Sequence, residues 1–91
     1  MGSLVRHEEA AQSFEIEIEG QRGYLDYELA DGVMTITHTV VPEALAGQGL
    51  AGQLTEQAFE LARQRGWKVV PVCSFAAAWV ERHPDYAELV D

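Results

Sequence analysis

Basic side chains are scarce in this sequence: six Lys and Arg stand against fifteen Asp and Glu, a formal net charge of −9. That balance disfavours nonspecific contact with nucleic acid or an anionic membrane and tolerates a cationic substrate, although an acidic surface also serves solubility alone. Cysteine is nearly absent. Cys73 is the one thiol, so no internal disulfide can form, and it has no Cys or His partner at zinc-ligand spacing. No apolar run approaches the ~20 residues of a membrane span, and the N-terminus has no apolar signal core, which makes a cytoplasmic location the expectation. The 91 residues, 47% hydrophobic and 23% charged, are therefore expected to fold as one small domain over 1–91, held together by packing.

What is present centres on Pro42 to Leu54, PEALAGQGLAGQL, where a strand-like run gives way to glycines and then to helical periodicity. Gly47, Gly49 and Gly52 leave successive backbone amides unshielded, and the first amides of a helix lack internal partners at the positive end of its dipole. Such a turn attracts phosphate. It is no Walker loop, because no Lys-Ser or Lys-Thr follows, and it lacks the dinucleotide fingerprint of three spaced glycines with a later acidic residue. The same glycines also suit a tight turn and a close helix contact with no ligand at all.

Around this joint the periodicities predict an α/β fold. Met1 to Gln12 has no convincing period and reads as a loose lead-in. Phe14, Ile16 and Ile18 alternate with Glu15, Glu17 and Glu19, and Leu25, Tyr27 and Leu29 alternate with Asp26 and Glu28, which predicts two half-buried strands. Asp31-Gly32 is a two-residue hairpin signal leading into a third strand, Val33 to Val41, with Met34, Ile36, His38 and Val40 on one face. A helix follows from about Leu50 to Arg65, with Leu50, Leu54, Ala58, Leu61 and Ala62 as its apolar stripe and Gly66 as its stop. Trp67 to Cys73 is then a fourth strand, parallel to the third because a helical crossover joins them. Pro71 inside it cannot donate to a ladder, so a gap is expected to open beside the third strand. Ser74 suits the cap of a helix through Arg82, and Pro84 the first turn of a last short helix to Val90. The expected fold is thus a three-stranded antiparallel meander, a crossover helix, a parallel fourth strand and one or two C-terminal helices.

If the last two strands diverge at the glycine joint, one ligand can lay phosphates on Gly47, Gln48, Gly49, Leu50, Ala51 and Gly52 and run an arm down the gap. Backbone groups of Val40 and Val41 can then pair with amides in that arm. Coenzyme A has this chemistry: a pyrophosphate, pantetheine with two amides, and a thiol. Ala46-Gly47-Gln48-Gly49-Leu50-Ala51 resembles the acetyl-CoA pyrophosphate loop of the GCN5-related N-acetyltransferases, with Ala46 standing where Gln or Arg is usual. The likeness runs on in order through Gly23 with Tyr24-Leu25-Asp26-Tyr27, Thr37-His38-Thr39, Val41-Pro42-Glu43, Gly66, Pro71-Val72-Cys73 and His83-Pro84-Asp85-Tyr86. That order is similar to the very small, single-domain YjdJ-like or NATD1-like branch of the family.

The resemblance implies a compact acetyl-CoA-binding core that acetylates a small amine or a protein amine, acting as a monomer or weak homodimer. It also permits a route in which Cys73 carries the acetyl group. A strand-to-helix junction stabilises a thiolate, although a lone intracellular cysteine also serves as a small buried hydrophobe. His38 is the candidate base, since imidazole suits the removal of a proton from an amine, yet its neighbours Met34, Ile36 and Val40 favour a satisfied core histidine. The resemblance also offers Tyr86 as a general acid toward the thiol, as in some larger relatives, but Tyr86, His83, Trp67 and Trp79 read as packing and helix-boundary residues, and His7 as exposed. A CoA-binding or interaction module without efficient catalysis is the alternative, because so little chain remains for an acceptor pocket; a structural domain whose glycines bind nothing is the third.

Overall fold

The structure, a computed structural model, describes residues 4–91. Its strands are β1 (Arg6–Glu8), β2 (Ser13–Ile18), β3 (Gln21–Ala30), β4 (Val33–Val40) and β5 (Lys68–Pro71), and its helices are α1 (Leu50–Arg65) and α2 (Ser74–Glu81). A final 3-10 helix spans Pro84–Leu89. The five strands lie in the order of the chain; β1 to β4 are antiparallel neighbours, and β5 joins β4 in parallel. This is the expected meander and crossover with one more strand at its edge.

That extra strand corrects the reading of residues 1–12 as loose. Arg6, His7 and Glu8 pair with Glu15, Phe14 and Ser13, and the Gln12 carbonyl accepts the Tyr27 amide at 3.0 Å. Three residues are too few to display a period, so the pairing had no signature in the chain. The part of the lead-in at 1–3 lies outside the described residues. His7 is likewise not a free surface imidazole: it stacks on Phe14 with ring centroids 4.4 Å apart, and Nε2 lies 2.6 Å from the Tyr27 hydroxyl.

One face of the sheet is covered. Phe14, Ile16, Leu25, Tyr27, Met34, Ile36 and Val69 are buried there, and α1 lays Leu54, Ala58, Phe59 and Ala62 onto them. Each large side chain removed from water in this way contributes roughly 1.5–3 kcal/mol before the entropy of ordering is subtracted. The alternate residues Glu15, Glu17, Asp26 and Glu28 remain accessible on the other face. Asp31 and Gly32 both have positive φ, 53° and 76°, as the hairpin they were read as requires. At its far end α1 stops on Gly66, φ 73°, with the Trp67 amide returning to the Ala62 carbonyl at 2.8 Å.

Two features depart from simple alternation. The β3–β4 register pairs Asp26 with His38 but Tyr27 with Ile36, so Thr37 is an extra residue in β4, and its hydroxyl donates to the Asp26 carbonyl at 3.2 Å. Such a bulge reverses which residues face the helices beyond it. Thr39, opposite the buried Leu25, therefore lies on the helix-covered face, and His38, opposite Asp26, on the accessible one. At the other departure, Cys73 and not Ser74 is the N-cap of α2, and no side chain caps that helix.

Candidate active site

The parting of β4 and β5 begins where Pro71 stops the ladder. Pairing ends at Ile36 opposite Pro71, and the Ile36 carbonyl accepts both the Val72 and Cys73 amides, at 3.1 and 3.0 Å. From His38 to Val40, β4 pairs with β3 alone. Gly23 lets the end of β4 approach: a Cβ there would stand 3.3 Å from the Val40 carbonyl oxygen. Beyond Val40 the chain turns at Pro42, makes a 3-10 turn over Glu43–Leu45 anchored by the buried Leu45, and enters the glycines.

Gly47 and Gly49 both occupy the left-handed region, with φ of 83° and 72°. Side chains are strained there, which is why the turn needs glycine. Gly49 caps α1, whose first backbone bond runs from the Gln53 amide to the Gly49 carbonyl at 3.1 Å. The amides of Leu50, Ala51 and Gly52 precede it and have no partner within the helix. No side chain caps this end and no acidic residue lies in its first turn. The result is a bare positive end of a 16-residue helix.

This end forms one wall of a cleft of about 250 Å³ lined by Val41, Leu45, Ala46, Gly47, Gly49, Leu50, Ala51, Gly52 and Phe75. Six of the eight residues singled out for binding thus line it; Gln48, exposed between its glycines, and Val40, 41% exposed, are not among the lining residues. Gly52 also faces α2, where a Cβ would lie at an ordinary contact distance of 3.6 Å from the Trp79 indole nitrogen. Ala46 was read only as the first residue of the resembling loop, and Leu45 and Phe75 were not foreseen. Phe75 became visible only once α2 was folded back over the glycine turn.

Cys73 stands two residues before Phe75, at the head of α2. Its Sγ is 3.5 Å from the Thr39 hydroxyl across the parting strands. Burial pushes the thiol up, but hydrogen bonds from the Thr39 hydroxyl and from the amides of Ala76, Phe75 and Thr39 outweigh it, and the thiol is held below its usual value. The structure brings Cys73 to the gap and leaves His38 outside the helix-covered face. His38 is exposed, with Nδ1 3.3 Å from the Thr37 hydroxyl, so the reading of a core histidine is overturned by the bulge. Tyr86 donates to Glu60 and packs on Phe59 and Trp79, while His83 stacks on Trp79 and donates from Nδ1 to its carbonyl at 2.7 Å; both are packing groups, as read.

Residues 13–89 match the GCN5-related N-acetyl-transferase family. The chain belongs to that family and is an N-acetyltransferase by fold and membership. The fold is similar to the solution structure of a GCN5-like protein from Staphylococcus aureus assigned as an N-acetyltransferase, with a TM-score of 0.74 and 28% identity over 100% of this chain and 91% of that one. The family generally uses acetyl-CoA as donor and an amine as acceptor. No helix among the described residues is long and apolar enough to cross a membrane.

Proposed function

We propose that the chain moves an acetyl group from acetyl-CoA to the amine of a small molecule or protein, with Cys73 as its acetyl carrier. The observation that carries this reading is that the bare α1 terminus and Phe75, from the first turn of the helix whose N-cap is Cys73, line the same cleft. The donor's chemistry suits the residues present. Unpartnered amides at Leu50, Ala51 and Gly52 match a pyrophosphate, no acid opposes it in that turn, and the cleft walls carry no charged side chain against an uncharged arm. When bound, acetyl-CoA supplies an activated thioester.

The chain's own residues do the rest. The glycine turn holds and orients the phosphates, and the backbone at Val40 and Val41 offers hydrogen bonds to the amides of the arm. The Cys73 thiolate, held by Thr39 and the first amides of α2, is the nucleophile. Its sulfur forms the new bond to the acyl carbon as the thioester carbon–sulfur bond breaks and CoA leaves as its thiolate, which takes a proton from solvent; the amine nitrogen then bonds to the same carbon as the Cys73 sulfur leaves, again as thiolate. His38, at the same level of β4 on the accessible face, is the group that takes the proton of the incoming amine. All these residues come from one chain, so a monomer suffices. A reducing cytoplasm is the setting in which an unpaired thiol stays available.

The test is intact-protein mass after incubation with acetyl-CoA, for the native chain and Cys73→Ala, with a thermal melt of each. A stabilising shift plus a hydroxylamine-labile acetyl adduct absent from Cys73→Ala is expected. A shift without an adduct would reduce the reading to direct transfer or simple binding, and neither signal would remove acetyl-CoA from it. The role of His38 fails if His38→Gln leaves the pH profile of kcat/KM unchanged.

A further inference from the structure

We propose that Thr39 is the residue that positions the Cys73 thiolate, and that the β4 bulge at Thr37 exists to turn it there. The proposal rests on the reading of Cys73 as acetyl carrier and adds to it the group that sets the sulfur's direction and protonation. In an unbroken strand Thr39 would share a face with Thr35 and Thr37, and His38 with Met34 and Ile36. The extra residue in the register exchanges them, bringing Thr39 opposite Leu25 on the helix-covered face and its hydroxyl to 3.5 Å from Cys73 Sγ.

The exchange happens where it matters for chemistry. It falls immediately after Ile36, the last residue that β5 pairs with, so Thr39 is the first inward-facing side chain of β4 beyond the point where the strands part. Cys73 comes to the same level from the other strand because its amide is tied to the Ile36 carbonyl at 3.0 Å. The two side chains thus face one another across the parting.

A hydroxyl there can serve both states of the sulfur. With Cys73 as thiol, S–H donates to Thr39 Oγ1; with Cys73 as thiolate, the Thr39 O–H turns and donates to Sγ, which favours the charged form. Thr39 keeps its proton throughout and forms no bond to the acyl group. The groups acting on the sulfur are neutral donors from the two elements that flank it, the Thr39 hydroxyl and amide on β4 and the Phe75 and Ala76 amides on α2. A change at Thr39 is therefore read directly in the pH at which Cys73 becomes nucleophilic.

The experiment follows the rate of Cys73 alkylation by iodoacetamide against pH for the native chain, Thr39→Val and Thr39→Ser, with no acetyl-CoA present. Val has the shape of Thr and suits a strand, so the fold is retained; the melting temperature of each variant records this. The native midpoint is expected below that of a free cysteine, and Thr39→Val is expected to raise it and slow alkylation at neutral pH by about threefold to tenfold. Thr39→Ser restores the native profile. A Thr39→Val profile that superimposes on the native one overturns the proposal. So does a native midpoint at or above that of free cysteine, a result that needs no variant. Because the assay contains no donor, its failure is distinct from a failure of the acetyl-cysteine reading, which the mass experiment alone reports.

Discussion

The two ends of α1 are finished in opposite ways. At its C-terminus Gly66 takes φ 73°, the Gly66 and Trp67 amides return to the Arg63 and Ala62 carbonyls at 3.3 and 2.8 Å, and Arg63 and Arg65 complement the negative end of the dipole. At its N-terminus Gly49 takes φ 72°, yet nothing caps the amides and no acid answers the positive end. One end is built for stability, the other gives up roughly a few tenths of a kcal/mol of cap energy, since its N-cap is glycine. The polar groups left bare are those that face the cleft. The difference teaches that the fold's stability is stored in the packed half around Phe59 and Val69, while the half where β4 and β5 part carries the uncapped amides and the cleft.

The largest effect that would separate the halves is in the core. Phe59 is fully buried, with its ring centroid 5.3 Å from Trp79 and 5.8 Å from Tyr86. Phe59→Ala is expected to cost about 3–5 kcal/mol in urea unfolding, a large fraction of what a domain of this size has. Next comes the bare helix end, where stability and function should move oppositely. Ala51→Asp puts a carboxylate among the orphan amides; it is expected to leave stability unchanged or raise it by ~0.3–1 kcal/mol while weakening acetyl-CoA binding on the order of 100-fold. Calorimetry and urea melts on the same sample decide it. If both fall together, the bare terminus is a packing feature and the contrast between the ends dissolves.

The two glycines that end α1 have matched φ values, 72° at Gly49 and 73° at Gly66. Neither position crowds a Cβ, so Gly49→Ala and Gly66→Ala pay the same backbone strain, about 1 kcal/mol each, in chemical denaturation. Only Gly49→Ala is expected to weaken acetyl-CoA binding. Equal weakening by both would mean that the ligand senses global stability and not the turn.

These contrasts also explain what the chain declared in advance. Strong local periods, such as Phe14-Ile16-Ile18 and Leu25-Tyr27-Leu29, and strong punctuation, such as Asp31-Gly32, Gly66 and Pro71, act within a few residues, so β2 to β5, α1 and the parting of the strands were legible. Six of the cleft-lining residues were legible for the same reason, because the glycine turn is a local motif. The bulge was not. Met34 to Val40 alternates without interruption in sequence, and only the register with β3 reveals that Thr37 is one residue too many. That single long-range fact moved His38 outward and Thr39 inward. Phe75 and β1 were hidden likewise, since each acquires its place only from a partner distant in sequence.

The smallest effect concerns β1, the edge strand that the local signals missed. Its His7 ring is stacked on Phe14 and bonded to Tyr27, and burial holds its imidazole below the usual value near 6.5. Glu9 and Glu8 pull the other way and Arg65 adds to the burial effect. Burial also raises the Tyr27 phenol, which keeps it a neutral hydrogen-bond partner through the neutral range. Because the folded imidazole binds its proton less readily than the unfolded one, the stability it contributes is fully present above the unfolded value and is lost as pH falls through the folded value. His7→Phe keeps an aromatic ring against Phe14 and removes the titration. Urea midpoints at pH about 7.5 and about 5.5 are expected to show a smaller acid loss in His7→Phe than in the native chain, bracketing the ordinary imidazole range. Equal losses would mean that β1 is already detached from the sheet before His7 takes up its proton. The helix-covered end of the sheet would then owe none of its acid sensitivity to this edge.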